Sequence, residues 1–526
     1  MGKQKNSRAG KPAGKMQSLG KRLVSTGAGV LLGNFSGFVI GLVTIIVVAR
    51  LLGPSGYGTY TIAVSYYLLI DAASSYGFGQ FLNKHLIQYS DNKKKLLETA
   101  SSGLILSLAF GVLTMGIGLG VGFVIASAYA KAGITFFSLA LASLVILFAV
   151  PFGSMTGALI GLGKAKLMAI ATIIENSVQL VAGILLIILG YGANGAVAGI
   201  VLGYLCGFVY GAYAIFKFFG FGNFLKALPS KSSLSYAFRF SMPLAITNIM
   251  GSSVTQFSAL LLGIYVTSAL VGNYGIATRS TFALNALYAT FYLTLLSGFS
   301  FVIANDRKHV ARAYSSLMLY SLVVSLPFLV FIAALSKPIV FLLFSSRYAY
   351  APLYLSLIAL GAVILILGKF ASSLLVAGNE TGKVMLYSAI SVVAQLAFLL
   401  VLVPVFKVIG AIIAIFFLGS IVYTAIFLFG VSRLISARFN GMLVLKAFLA
   451  NTILGLVLLF GNLIGSNAIA LVYGVLVLIL LYPPLLGFLG VLKKENLKEL
   501  RRSFSGYAHA GAANKLIDYI AKFVRA

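Results

Sequence analysis

Long charge-free apolar blocks, separated by short polar connections, divide this chain from about residue 24 to residue 490. A run of about 20 apolar residues is enough to cross a hydrocarbon core ~30 Å thick as a helix. Blocks of that kind lie at about 24–48, 58–80, 101–128, 134–160, 167–190, 195–216, 241–266, 272–303, 315–335, 350–375, 384–406, 408–430, 447–465 and 468–490. They are continuously apolar, whereas membrane barrel strands would alternate polar and apolar positions. The pattern predicts an all-α integral membrane protein of about fourteen transmembrane helices.

The basic residues supply the orientation. Of the 39 Lys and Arg, 32 fall in the two tails and in every second connection, such as Lys93–Lys95, Lys164 with Lys166, and Arg433 with Arg438. The opposite connections hold five (Arg50, Lys131, Lys337, Arg347 and Lys407), and Arg279 and Lys369 lie inside spans. The positive-inside rule then makes both termini cytoplasmic and the span number even. The net charge of +30 is explained by this topology, so no nucleic-acid partner is expected. The tails suit anionic lipid, with Asn514–Val524 patterned as an interfacial helix or a solvated end. Residues 1–22 read as a disordered basic cytoplasmic tail.

Composition excludes several kinds of chemistry. Charged residues are 9% of the chain and the mean hydropathy is +1.04. The single Cys206 allows no disulfide, and His85, His309 and His509 are far apart, so neither a metal site nor a cofactor is expected. No carboxylate falls in an outward connection, and nucleophile arrangements and phosphate loops are missing. The chain predicts a machine that moves something rather than an enzyme.

A shift of 214 residues superposes the start of the chain on its middle. Asn34, Gly37, Gly58, Tyr60 and Ala63 map onto Asn248, Gly251, Gly272, Tyr274 and Ala277. Asn34, Gly37, Gly41 and Thr44 form one small, polar face of the first span, matched by Asn248, Gly251, Thr255 and Ser258 on the seventh. Such faces arise from close packing of small residues or from a polar lining between two halves. Six spans separate the copies, which predicts two parallel six-helix bundles at 23–217 and 241–430. A cytoplasmic linker at 218–240 joins them, spans thirteen and fourteen occupy 447–490, and a basic tail follows from 491 to 526.

The stretch Ala49-Arg50-Leu51-Leu52-Gly53-Pro54-Ser55-Gly56-Tyr57-Gly58-Thr59-Tyr60 resembles the motif after the first span of polysaccharide-biosynthesis flippases, in the multidrug/oligosaccharidyl-lipid/polysaccharide exporter superfamily. Phe240–Leu244, Val271–Arg279 and Phe344–Tyr348 are similar to weaker motifs of that family. The resemblance spans about 20–490. It implies fourteen helices in two bundles, and alternating access that carries polyprenyl- or dolichyl-linked oligosaccharide to the outer leaflet of a prokaryotic plasma membrane. Membrane lipids and glycan-assembly enzymes are the partners it implies. Arg50, Gly53, Pro54, Gly56, Tyr57 and Gly58 would then form a gate or a fold element.

Such cargo needs a polar cavity and a cation for its phosphates. Arg279 is the candidate, because a charge at a helix centre costs about 2.5–3.5 kcal/mol on insertion scales and Arg grips phosphate bidentately. Its alternative is snorkelling to the outer surface. Lys369, Asn34, Asn248 and Thr255 complete the candidate substrate contacts, Lys369 also lying within snorkelling reach of the cytoplasmic surface. Asp71 and Glu175, the intramembrane carboxylates, are candidates for a coupling-ion site or for charge pairs with a cation on another helix. Gln179, one turn after Glu175, extends that polar face, and Asn176 does not. Pro54, Pro151, Pro243, Pro327 and Pro404 are candidate hinges. A multidrug or cation antiporter and a non-transporting scaffold of a glycan-assembly complex are the alternative functions.

Overall fold

A computed structural model describes residues 11–74, 77–226, 229–305, 310–435, 441–491 and 522; a few side chains within helices, Asn248 among them, lie outside the described set. The described chain is helical throughout. The first elements are α1 (Lys11–Ser74), α2 (Phe78–Gln88), α3 (Lys93–Ile125), α4 (Phe136–Gly161), α5 (Ala165–Leu186) and α6 (Gly192–Phe219). Then come α7 (Phe221–Lys226), α8 (Lys231–Tyr265), α9 (Ser268–Ser280), α10 (Phe282–Asn305), α11 (Val310–Ala334) and α12 (Ser336–Leu343). The last six are α13 (Ala351–Ala377), α14 (Thr381–Ile412), α15 (Ser420–Leu434), α16 (Gly441–Leu459), α17 (Asn467–Leu480) and α18 (Tyr482–Phe488). The basic tail expected to be disordered is already helical from Lys11, as a continuation of α1. Residues 1–10 and, but for Lys522, the expected interfacial helix at 514–524 lie outside the described residues.

Among the described residues, nine segments are long and apolar enough to cross a membrane, and three of them run to 46, 55 and 54 residues. At 1.5 Å per residue each of these is about twice the ~30 Å hydrocarbon thickness, so each must divide. The division is visible in the backbone. Gly53 (φ 64°, ψ −177°) breaks α1, Gly190 (φ 94°) and Gly192 (φ 54°) separate α5 from α6, and Lys407 (φ 54°) breaks α14. Of the proline hinges, Pro54 and Pro404 adjoin these breaks, whereas helices run through Pro151, Pro243 and Pro327. Expected span eight, 272–303, is interrupted at Thr281, between α9 and α10.

The chain divides into two compact units, Met1–Val271 and Gly272–Ala526. Helix α8, which the sequence groups with the second bundle, packs in the first unit against α1, α2 and α3. At one end it is held by three side-chain contacts: His85 Nε2 to the Tyr236 hydroxyl (3.0 Å), Ser102 to Ser233 (2.7 Å), and Ser230 donating to Glu98 (2.6 Å). In the second unit, α11, α13 and α15 share a core built on Leu322, Phe370 and Phe427. Helices α16 to α18 join α11, where the Tyr482 hydroxyl donates to the Val323 carbonyl (2.7 Å).

The repeat is legible in element positions. Helices α11, α13 and α14 begin 215–217 residues after α3, α4 and α5. Gly58, Tyr60 and Ala63 are buried in the first unit, as Gly272, Tyr274 and Ala277 are in the second. The copies also tie down the start of a later helix at equivalent places. Thr59 donates to the Ala132 carbonyl just before α4, and Asn273 Oδ1 accepts from the Tyr350 and Ala351 amides that open α13.

Helices in lipid gain little from excluding water and instead associate through close packing. Glycine seams provide it here. A Cβ on Gly157 of α4 would overlap the Gly79 carbonyl of α2, and one on Gly203 of α6 would come within 2.7 Å of the Glu175 carbonyl on α5. We expect Gly157→Ala to destabilise the protein by about 1–3 kcal/mol through overpacking. Gly120→Ala, where a Cβ meets open space, should be neutral or stabilising by up to about 1 kcal/mol. Thermal unfolding of both variants in detergent checks the contrast.

Candidate functional site: a polar cavity in the first unit

Helices α1, α2, α4, α5 and α6 line an open cavity of about 530 Å3. It lies between apolar spans, yet it is lined by Asn34, Asp71, Gln80, Asn83, Thr172, Glu175 and Tyr204, with Phe152 and Met168 among its apolar walls. The first span's polar stripe explains part of this. Gly29, Gly33 and Gly37 pack α1 onto Ala165, Ala169 and the Thr172–Asn176 turn of α5, and the approach brings Asn34 to the cavity. Gly41 meets nothing within 4 Å, and Thr44 donates to its own helix at the Ile40 carbonyl. The stripe therefore serves both readings, packing through Gly37 and lining through Asn34.

Glu175 is only 6% exposed. Its neighbour in sequence, Asn176, was expected to point elsewhere. In the structure Asn176 Nδ2 donates to Glu175 Oε2 and to the Thr172 carbonyl (2.8 Å), because the side chain bends back along the helix. On the far side, Gly207 of α6 lies where a Cβ would be 2.9 Å from the Glu175 Cβ. Tyr204 shares a hydrogen bond with Tyr67 and stands within electrostatic range of both Asp71 and Glu175. Its ring packs edge-on against Phe152 at 5.9 Å. Among the described residues neither carboxylate has a Lys or Arg partner, Asp71 has no hydrogen bond, and no group of three or more His, Cys, Asp or Glu lies together. A buried carboxylate without a cation is expensive. The cavity is thus built to take up a positive charge, a proton or a hydrogen-bond donor.

The other sequence candidates lie elsewhere. Thr255 is exposed on α8 and absent from the cavity wall, and the side chain of Asn248 is outside the described residues. Arg279 and Lys369 are half-buried in the second unit. Arg279 occupies the last turn of α9, where Thr278, Ser280 and Thr281 hydroxyls donate to the carbonyls of Tyr274, Ile276 and Thr278. The motif residues act on the backbone. Gly53 adopts a left-handed conformation that costs an ordinary L-residue about 1–2 kcal/mol, Pro54 restarts the helix with its fixed φ, and Tyr57 is fully buried against Tyr60 (5.6 Å). Arg50 is exposed.

Sequence reasoning missed Gln80, Asn83, Thr172 and Tyr204. Gln80 and Asn83 read as the end of a span and the start of a connection, although their three-residue spacing marks one helical face. Thr172, one turn before Glu175, was the available signal on α5.

A sequence model of the family described as "Polysaccharide biosynthesis protein" matches residues 47–353. In fold the chain is similar to a multidrug resistance transporter of the MATE family, of the MOP superfamily, in its inward-facing conformation (TM-score 0.63, 20% identity, 76% of this chain and 94% of that one). It is likewise similar to lipid II flippase MurJ, inward closed (TM-score 0.65, 17% identity, 86% and 97%). A MOP superfamily transporter from Pyrococcus furiosus, described as having a binding pocket of reversed polarity, matches at TM-score 0.50, 18% identity, 78% and 95%. No curated relative matches the sequence. The family and fold neighbours are transporters and flippases.

Because neither carboxylate is balanced by a cation among the described residues, Asp71→Asn and Glu175→Gln should leave the melting temperature in detergent unchanged or raise it. A loss equivalent to about 3–5 kcal/mol, the cost of breaking a buried ion pair, would mean that each has a cationic partner.

Proposed function

We propose, for a chain that belongs to the polysaccharide biosynthesis protein family, that it flips polyprenyl- or dolichyl-(pyro)phosphate-linked oligosaccharide from the cytoplasmic to the outer leaflet by alternating access. The observation that carries this reading is an open polar cavity of about 530 Å3 between membrane-spanning helices. A hydrophilic head crosses a bilayer only if protein groups replace its water, and irregular or polar structure at membrane depth persists where it lines such a space. The isoprenoid tail needs no such replacement, because lipid solvates it.

The topology proposed with it has fourteen spans, two bundles and both termini in the cytoplasm of a prokaryotic cell. On that orientation the cavity runs toward the cytoplasmic side, since Asn83, Ile160 and Met168 of its wall adjoin the basic connections at Lys84, Lys164 and Lys166. The tails would rest on anionic lipid, and enzymes of glycan assembly would supply the cargo. Arg279 is assigned to the cargo phosphates. Its guanidinium stays charged and offers paired donors, and it lies beside a helix break of the kind that forms binding sites in transporters. Lys369 is a second cation in the same unit. Asp71 and Glu175 are assigned to a coupling proton or sodium ion, which would neutralise carboxylates that lack a protein cation.

An antiporter for cationic compounds is the second reading, favoured by the same two carboxylates. Leaflet transfer in proteoliposomes separates the two, with a fluorescent polyprenyl-pyrophosphate oligosaccharide and a cationic dye as alternative cargoes. We expect transfer of the lipid-linked sugar, reduced by about tenfold or more in Arg279→Ala, as loss of one charge-assisted contact implies. Gradient-driven dye movement without lipid transfer would favour the antiporter. Movement of neither, with assembly of the glycan machinery impaired in cells lacking the protein, would favour a scaffold.

A further inference from the structure

The cavity of the first unit is larger and chemically more mixed than an ion site needs. A bound ion or water occupies a few tens of Å3, whereas about 530 Å3 falls in the range of pockets for small organic groups. Its lining also runs along the bundle. Glu175 and Met168 on α5 are seven residues apart, and Phe152 and Ile160 on α4 are eight apart, so the cavity extends roughly 10–12 Å along the helix axes. Glu175 and Tyr204 lie beside Phe152, Asn83 lies beside Gly161, and Asn34 follows Gly33, which packs on Met168 and Ala169.

Three carboxamides therefore face one space, and among the described residues none of them is hydrogen-bonded to another protein group. Asn83 Oδ1 is in addition shielded from solvent, so nothing present compensates its lost hydration. Amides both donate and accept, which matches sugar hydroxyls, since these also do both. The lining includes two carboxylates and neither Lys nor Arg, which disfavours a phosphate. Gly153 of α4 completes the shape: a Cβ there would meet nothing within 4 Å, so the missing side chain leaves the slot open.

We propose that the amide-lined part of this cavity is a sugar-binding slot that takes an uncharged, hydroxyl-rich residue of the cargo's glycan and excludes its phosphate. This rests on the flippase reading, and it leaves the phosphate to groups outside this cavity. The carboxylates stay available to the coupling ion.

Gly153→Cys in a Cys206→Ser background gives a thiol that projects into the slot without displacing any neighbour. Its reaction with a hydrophilic maleimide is measured on purified protein with three additions. These are the phosphate-free oligosaccharide released from the carrier used for leaflet transfer, inorganic pyrophosphate, and tetraphenylphosphonium. We expect the oligosaccharide to slow labelling and pyrophosphate to leave it unchanged. Adding Asn83→Ala should raise the oligosaccharide concentration needed for protection by about tenfold, as one lost amide contact implies. Protection by pyrophosphate, protection by tetraphenylphosphonium alone, or no protection by any of the three overturns the proposal. Transfer assayed in parallel keeps the outcomes apart: protection by the sugar without leaflet transfer would contradict flipping while leaving the slot in place.

Discussion

Two carboxylates held inside apolar helices, with no cation beside them among the described residues, are the constraint around which the first unit is arranged. In hydrocarbon, every backbone group has to be satisfied within its own helix, and every polar side chain has to find protein or a water-filled space. Asp71 and Glu175 meet this demand by facing a cavity. The cavity can exist only because helices approach closely around it. The glycines at 79, 157, 203 and 207 let α2 seat on α4 and α6 seat on α5 at distances no larger side chain would permit. Packing and chemistry are thus one design, since the residues that bring the backbones together also fix where the polar groups must look.

The second unit repeats the framework and differs in charge. Its helices begin at the same spacing as those of the first, and the residue equivalent to Thr59 is Asn273, which also ties the span to the start of a later helix. Where the first unit carries acids, the second carries Arg279 and Lys369. The duplicated scaffold thus carries intramembrane charges of opposite sign in its two copies.

Much of this was legible in the sequence because lipid leaves so little freedom. Continuous apolar blocks can only be helices, so the class followed from Leu, Ile, Val and Gly runs alone. The repeat was readable from Gly58, Tyr60 and Ala63 and their partners because buried small and aromatic positions tolerate little change in volume. Asn34, Asp71 and Glu175 stood out as polar groups where polarity is costly, and the structure brings all three to one cavity. Asn83 and Gln80 did not stand out. They lie beyond the end of α1 at Ser74, where polar residues look like an ordinary connection, and packing against α4 turns them inward. Asn176 was misread for a related reason, since spacing along a helix does not tell which way an amide bends. Span eight also hid its break at Thr281, since no loss of hydrophobicity marks it.

The central claim is that the carboxylates of the first unit couple an ion to movement of a lipid-linked glycan. The most direct measurement is the rate of leaflet transfer of a polyprenyl-pyrophosphate oligosaccharide in proteoliposomes with and without an imposed proton or sodium gradient, for wild type, Asp71→Asn and Glu175→Gln. The account predicts that a gradient of one of these ions accelerates transfer by the wild type and that the acceleration disappears in both variants. Gradient-driven transfer that persists at the wild-type level in both would contradict it.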